Sequence, residues 1–246
     1  MSLLLHCCAK SATLEELRDV KIPEPTKTYR PVGHYEFANM LKDMASSVLP
    51  TFTYASSQYG LARNGDQLFG VHTFNNSHTK LGLSIGFRNS FDRSLAAAIA
   101  VGATVFCCDN LCLSGDITAM RKHTLNVKQD LETLAIMAIL KSRSAYYQVR
   151  EDADKMQEIG LNNDEAYKLI GLLYGHGVIT PRQVPVVKRE WLSPSHEEFQ
   201  PRSIWSLYNA ATEALKSSPP RTIMEKHLQL HHMITQTDPV YKSYAL

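Results

Sequence analysis

The chain has 246 residues, of which 44% are hydrophobic and 20% charged, a composition typical of a globular protein that buries a core without disulfides or metals. Its 26 Lys and Arg against 24 Asp and Glu leave a formal net charge of only +2, which excludes a protein that coats nucleic acid by bulk charge. Binding to a polyanion would therefore need a local basic cluster. The longest apolar run, Leu95–Cys108, is too short to span a membrane, and we expect a cytoplasmic protein with no membrane partner.

Residues 1–30 are predicted to form an N-terminal arm, and residues 31–246 a single α+β domain. Within the arm, Thr13–Val20 suits a short helix. A first domain helix is predicted from Pro31, which is favoured at the first helical position, to the helix-breaking Pro50.

An antiparallel meander sheet of four or five strands is predicted over about residues 51–110. Asn64-Gly65 is a strong signal for a hairpin turn, and Leu68–Phe74 and Leu81–Phe87 alternate as strands do. Two more strands are expected on either side of Gly102, although the alanines of Leu95–Val101 also suit a helix. One face of this sheet is expected to remain open as a working surface.

Helical periodicity is predicted to begin after Gly115 and to form a long helix from Leu125 that covers the other face of the sheet. Asn163 is expected to cap the next helix, and Val178–Pro194, with its three prolines, to form a surface loop. Ser203–Lys216 and Thr222–Gln236 are predicted as closing helices. Strands grouped together and followed by helices favour the α+β class over a βαβ-wound fold.

The five cysteines form a poor disulfide framework, because their number is odd and they occur in adjacent pairs: Cys7, Cys8, Cys107, Cys108 and Cys112. Cys107 continues an apolar strand, so we expect it to be buried and reduced, with no metal on the segment from Cys107 to Cys112. Zinc remains the alternative for these thiols.

A second cluster contains His227, His231 and His232. His227 and His231 lie one helical turn apart, but the glutamate of a metalloprotease His-Glu-x-x-His helix is missing between them. Packing against aromatic residues is therefore favoured, and metal binding by these histidines is left open. Phosphate-binding glycine loops and the Gly-x-Ser-x-Gly elbow do not occur in the sequence, so no cofactor and no catalytic residue is predicted.

Two basic clusters carry the functional expectation. The first is the polar segment Arg88–Ser94, with Arg88, Asn89 and Arg93, and the second is Arg121-Lys122-His123. Neighbouring turns of a meander can lie at the same end of the sheet, where their charges would add locally and arginines would hold phosphate groups. A solvated turn and a solvated helix start are the alternative interpretation.

Several motifs in fixed order resemble the domain of unknown function 932 family of phage- and plasmid-associated bacterial proteins. They are Asn-Ser-Phe-Asp-Arg-Ser from Asn89, Val-Phe-Cys-Cys-Asp-Asn-Leu from Val105, Ser-Gly-Asp from Ser114, Arg-Lys-His-Thr from Arg121, and the closing segment Trp205–Lys216. Together they span about residues 30–232. The resemblance brings no catalytic residues with it, but it implies a mobile-element setting in which nucleic acids are handled.

The leading hypothesis is therefore a nucleic-acid-binding accessory protein that binds or anneals single strands and that can form a homo-oligomer. The residues expected to bind are Arg88, Asn89, Arg93, Arg121, Lys122 and His123. Bases would stack on Tyr54, Tyr59 and Phe74 if these point outward, although core packing is the favoured role of each one singly. The alternatives are a metal-dependent hydrolase or nuclease that uses Asp92, Asp109, Asp116 or the histidines, and a non-catalytic interaction protein that inhibits a host defence system. The sequence favours a binding protein over an enzyme.

Overall fold

A six-stranded antiparallel sheet forms the centre of the fold. The computed structural model describes residues 9–76, 81–105, 110–219 and 222–237, with backbone alone for 104–105, 110–120 and 236–237. The strands are β1 (Lys10–Ala12), β2 (Thr53–Ala62), β3 (Gln67–Asn75), β4 (Leu81–Ser90), β5 (Ala97–Val105) and β6 (Asn110–Arg121), and they lie in the sheet in chain order. The predicted α+β class with an antiparallel meander is confirmed.

The turn between β2 and β3 follows the Asn-Gly signal. Arg63, Asn64 and Gly65 have φ values of 51°, 57° and 96°, a left-handed backbone that Asn and Gly adopt at low cost. Strand β3 then pairs with β2 so that Gln67 lies opposite Ala62. The hairpin predicted at this position is present, with one more left-handed residue than a two-residue turn needs.

Seven helices surround the sheet in the part of the chain that is described: α1 (Leu14–Asp19), α2 (His34–Val48), α3 (Val127–Glu158), α4 (Asn163–Gly175), α5 (Val184–Leu192), α6 (Ile204–Leu215) and α7 (Ile223–His232). Thr13 and Asn162 each begin a helix with a capping box, in which the cap side chain and a glutamate three residues later exchange hydrogen bonds. The cap of α4 is therefore Asn162 and not the predicted Asn163, which is the first residue of the helix. Within the described residues, no helix is both long and apolar enough to cross a membrane.

The main core lies on the face of the sheet that α2 and α3 cover. Strand β4 contributes Leu83, Ile85 and Phe87 to it, and the closing helix α6 contributes Trp205 and Tyr208, whose rings stack at 5.6 Å. Two side-chain hydrogen bonds within α6 complete this motif, from Asn209 Nδ2 to the Trp205 carbonyl and from Thr212 Oγ1 to the Asn209 carbonyl. The closing helix predicted over Ser203–Lys216 is thus present as α6, and it packs onto the core.

The second face of the sheet is not an open working surface. Phe69 and Val71 of β3 and Ala98 and Ala100 of β5 form a separate buried cluster there with Ile223 and Met224 of α7. The expectation of a free face is wrong at this cluster because the alternation of β3 and β5 places apolar side chains on both sides of the sheet.

Three boundaries differ from the predictions. Strand β6 runs to Arg121 and α3 begins at Val127, so the helical segment does not start at Gly115. Segment 178–194 contains helix α5, because Pro185 lies in its first turn, where no intrahelical N–H bond is lost. Helix α2 begins at His34 and not at Pro31.

Residues 106–109, including Cys107 and Cys108, lie outside the described part of the chain, as do Cys7 and Cys8.

Gly70 is predicted to be intolerant of a side chain. A Cβ added there would lie 2.3 Å from Cζ of Phe87, the residue opposite Gly70 on β4. Phe37 and His72 also pack against the Phe87 ring, so it has little room to move. We expect Gly70→Ala to lower the free energy of unfolding by about 1–3 kcal/mol through overpacking, measured by urea denaturation.

Gly86→Ala is the matched control, because its added Cβ would come no closer than 3.8 Å to the Ala100 carbonyl oxygen. This substitution should leave stability nearly unchanged or raise it slightly. Equal stability of the two variants would contradict the proposed clash with Phe87.

Candidate nucleic-acid interface

The turn between β4 and β5 is held by its own side chains. Gln67 Nε2 donates hydrogen bonds to Asp92 Oδ2 at 2.9 Å and to Ser94 Oγ at 2.7 Å, and Asp92 Oδ1 accepts one from the Ser94 backbone at 2.9 Å. Burial raises the pKa of Asp92, but the hydrogen bonds from Ser94 and Gln67 outweigh it and hold that pKa below its ordinary value. Arg93 adopts a left-handed backbone at φ 61° and is exposed.

Arg88 is not part of this turn. Strand β4 extends to Ser90, and the Arg88 side chain is only 7% exposed on the second face of the sheet. Its Nη2 and Nη1 donate to Oε1 and Oε2 of Glu225 on α7, at 2.9 and 3.1 Å. This bidentate ion pair links α7 to the sheet. It also engages the guanidinium group that the sequence analysis suggested for phosphate binding.

Asn89 points to the opposite face and is fully buried. Its Nδ2 donates to the Val32 carbonyl at 2.7 Å and lies 3.0 Å from Nδ1 of His34, whose Nε2 lies 2.9 Å from the Gly65 carbonyl. These partners assign the neutral tautomer of His34, with the proton on Nε2 and an acceptor at Nδ1. Asn89 therefore joins β4 to the start of α2, and His34 carries the connection to the β2–β3 turn.

Arg93 and His123 meet at Tyr29, a residue of the N-terminal arm. The Arg93 guanidinium carbon lies 4.3 Å from the centre of the Tyr29 ring, within the range of a cation–π contact. The His123 ring lies 5.6 Å from the same ring. His123 is buried, and burial lowers its pKa against the opposing effect of the Arg30 backbone.

The second basic cluster reaches the same end of the sheet. Arg121 ends β6 opposite Ala97, next to the pair of Ala98 with Arg88. Arg121 Nε bonds Asp130 Oδ2 at 2.9 Å, whereas Lys122 is exposed. The Arg30 backbone N–H donates to the His123 carbonyl at 3.1 Å, which places Arg30 beside this cluster.

We use the name Tyr29 patch for four exposed cations: Arg93, which contacts the Tyr29 ring, and Arg30, Arg121 and Lys122, which lie next to Tyr29 or close to His123 in the chain. Of the six residues that the sequence suggested, Arg93, Arg121 and Lys122 are exposed and belong to this patch, whereas Arg88, Asn89 and His123 are buried. Among the described residues, no carboxylate forms an ion pair with Arg30, Arg93 or Lys122. Sequence reasoning missed Tyr29 and Arg30, although the Tyr-Arg-Pro segment at the end of the arm was a signal for an ordered contact.

A cavity of about 450 Å³ adjoins the Tyr29 patch at Arg30. Its lining residues come from the arm and from the first turns of α2 and α3: Ile22, Pro23, Pro25, Arg30, Pro31, Gly33, Glu36, Leu125, Asn126, Val127, Lys128 and Gln129. Neither helix has a side-chain cap hydrogen bond, so both first turns keep peptide N–H groups that favour anions. Lys128 forms an ion pair with Glu36 at 3.2 Å, and Leu125 and Ile22 add exposed apolar surface.

The aromatic residues suggested for base stacking are elsewhere. Tyr59 and Phe74 are buried in the main core, so core packing is their role. Tyr54 is exposed but pairs with Phe74 at the other end of β2, far from the Tyr29 patch.

The candidate metal ligands do not gather in the described part of the chain, where no three His, Cys, Asp or Glu side chains are placed to hold an ion. His231 Nε2 lies 3.3 Å from Asp152 Oδ2, and its Nδ1 lies 3.4 Å from the Tyr208 hydroxyl. His227 is fully buried and His232 is exposed. Asp109, together with the side chains of Asp116 and Cys112, lies outside the described part.

The model of the family described as domain of unknown function (DUF932) matches residues 24–234, which is most of the chain and includes both basic clusters. No curated protein and no solved structure matched the chain.

Two buried histidines predict that stability depends on pH. Burial lowers the pKa of His34 and of His72 from 6.5 to about 4 in each case. Between these values the unfolded chain binds a proton that the folded chain does not. The stabilisation is therefore complete above pH 6.5 and is lost as the pH falls toward 4, by up to about 1.4 kcal/mol per pH unit for each histidine.

Urea denaturation between pH 7 and 5 measures this dependence. His34→Gln keeps a donor for Gly65 and an acceptor for Asn89, so it should fold with lower stability at pH 7 and a shallower dependence on pH. The exposed His176 provides the control, since His176→Gln should keep the full slope. A slope that is unchanged in His34→Gln would contradict the assignment.

Proposed function

We propose that this chain, which belongs to the domain of unknown function 932 family, binds single-stranded nucleic acid through the Tyr29 patch. The observation that carries this proposal is the gathering of Arg30, Arg93 and Lys122, without a described carboxylate partner, around the buried rings of Tyr29 and His123. A nearly neutral chain thereby gathers several cations in one place, where Asp66 and Asp92 offset part of their charge at the Tyr29 hydroxyl. Phosphate contacts of this kind supply most of the sequence-independent affinity for nucleic acids.

The buried network supports the patch as a rigid platform. Gln67 and Asp92 hold the turn that carries Arg93, and Asn89 with His34 ties the end of β4 to α2. Cations on a fixed backbone lose less conformational freedom when they bind a phosphate than cations on a mobile tail. Arg88 takes part indirectly, because its pair with Glu225 fixes the strand end from the other face.

The adjoining cavity extends the surface beyond phosphate contacts. Arg30 lies in its wall, the first turns of α2 and α3 favour an anion, and Leu125 and Ile22 present apolar surface. A nucleotide has both features, a charged phosphate and an apolar base face. We assign the protein to cytoplasmic handling of phage or plasmid DNA, as an accessory protein in single-strand binding or annealing that acts as a homo-oligomer.

The test is fluorescence anisotropy with labelled single-stranded DNA over a range of salt concentrations. With up to four phosphate contacts, the slope of log K against log salt should reach roughly −2.8. The double variant Arg93→Glu, Lys122→Glu should weaken binding about tenfold or more at low salt and make the slope shallower by about 1.4, without loss of folding.

The control is Lys168→Glu, Arg182→Glu, which makes the same change in net charge on exposed residues of α4 and of its connection to α5. This control should bind nearly as the unmodified protein does. Absence of binding at low salt, or equal weakening by both double variants, would overturn the proposal and favour the enzyme and interaction hypotheses.

A further inference from the structure

The solvent face of α3 carries an apolar stripe that nothing in the described part of the chain covers. Ile136, Leu140 and Tyr147 are 41%, 61% and 40% exposed, and steps of four and seven residues place them on one line along the helix. Met137, 50% exposed, lies beside this line. The core residues of α3, such as Ala138, Ala145 and Val149, lie on the other side of the helix, so the stripe faces away from the sheet.

Two opposite charges flank the stripe on the same side. Glu132 lies one turn before Ile136, and Arg143 lies about one turn after Leu140; both are exposed, and neither forms an ion pair with a described residue. At 100° per residue they differ by only about 20° around the helix axis. The stripe therefore has an acidic end and a basic end, with an apolar centre between Ile136 and Leu140.

We propose that this stripe, consisting of Glu132, Ile136, Leu140, Arg143 and Tyr147, is the contact surface of a homodimer in which two α3 helices pair antiparallel. A two-fold axis near residue 138 places Ile136 opposite Leu140 of the second copy. The same axis brings Glu132 near Arg143 of the second copy, twice by symmetry, because residues on one side of an antiparallel pair meet residues on that same side. Such self-complementarity is what a two-fold interface requires.

The charge pattern favours a second copy of this chain over another occupant of the stripe. A parallel arrangement would place each Glu132 level with Glu132 of the second copy and distant from its Arg143, so only the antiparallel orientation forms the two opposite-charge pairs. The stripe from Glu132 to Tyr147 is about 23 Å long. One helix pair of this length buries less than the roughly 1,200–2,000 Å² of a stable interface, and we therefore place the dissociation constant in the micromolar range.

Sedimentation equilibrium of the full chain without DNA, from about 1 to 100 µM, measures the association. Leu140→Arg should shift the monomer–dimer midpoint upward by about tenfold or more, since it buries a charge at the apolar centre. The control Glu198→Arg changes an exposed acid of the connection before α6 and should leave the midpoint unchanged. Circular dichroism verifies that each variant is folded, which we expect because the altered side chains are exposed.

Charge exchange tests the antiparallel register directly. Glu132→Arg alone and Arg143→Glu alone should each weaken self-association, because both create two like-charge pairs. The double variant with both changes, and an equimolar mixture of the two single variants, should each recover dimers close to the original midpoint. Three outcomes would overturn the proposed interface: a chain that stays monomeric at 100 µM, a dimer whose midpoint Leu140→Arg does not change, or charge variants that do not recover dimers. DNA binding is measured separately and does not affect this result.

Discussion

The ion pair between Arg88 and Glu225 is the contact on which the arrangement of the layers depends. It joins β4 to α7, 137 residues further along the chain, across the second face of the sheet. The next residue, Asn89, points to the first face and joins the same strand end to α2 through His34 and the Val32 carbonyl. Two adjacent residues thus fix both helical layers at one end of the sheet. Removal of Glu225 alone would deprive the Arg88 guanidinium, whose side chain is only 7% exposed, of this carboxylate, which costs more than replacing both residues.

The regular parts of the fold were predictable because local signals agreed with the final structure. Alternation in β3 and β4 and the Asn-Gly turn each act within a few residues, and the structure follows them. The end of the sheet was not predictable in this way. Strand β6 continues to Arg121 because it pairs with β5, a contact that its own sequence does not reveal. The local pattern instead predicts that helical structure begins after Gly115. Helix α5 was hidden by the three prolines of its segment, of which only Pro185 lies within the helix, where the first turn tolerates it.

At the candidate site, local sequence patterns predict even less of the structure. The prediction that the two basic clusters share one end of the sheet rests on meander topology, and Arg93, Arg121 and Lys122 do lie there. Local composition did not distinguish Arg93, on the left-handed turn, from Arg88, three residues inside the strand. That distinction depends on Glu225, which no local pattern connects to Arg88. Tyr29 was likewise placed in an arm, yet its ring lies in contact with Arg93 and His123 and organises the patch.

Helix α3 connects the two proposed surfaces. Its first turn is tied to the Tyr29 patch through Asp130 and Arg121, and its solvent face carries the apolar stripe. In an antiparallel pair centred near residue 138, the two patches lie near opposite ends of the helix pair, with the starts of the two helices about 33 Å apart. In the proposed function each patch alone would make only a few phosphate contacts, which gives weak binding because the affinity rises with the number of phosphates contacted. One strand that contacts both patches would gain affinity because the second contact forms within the same complex, so a weak dimer and a weak patch can reinforce each other without any further interaction.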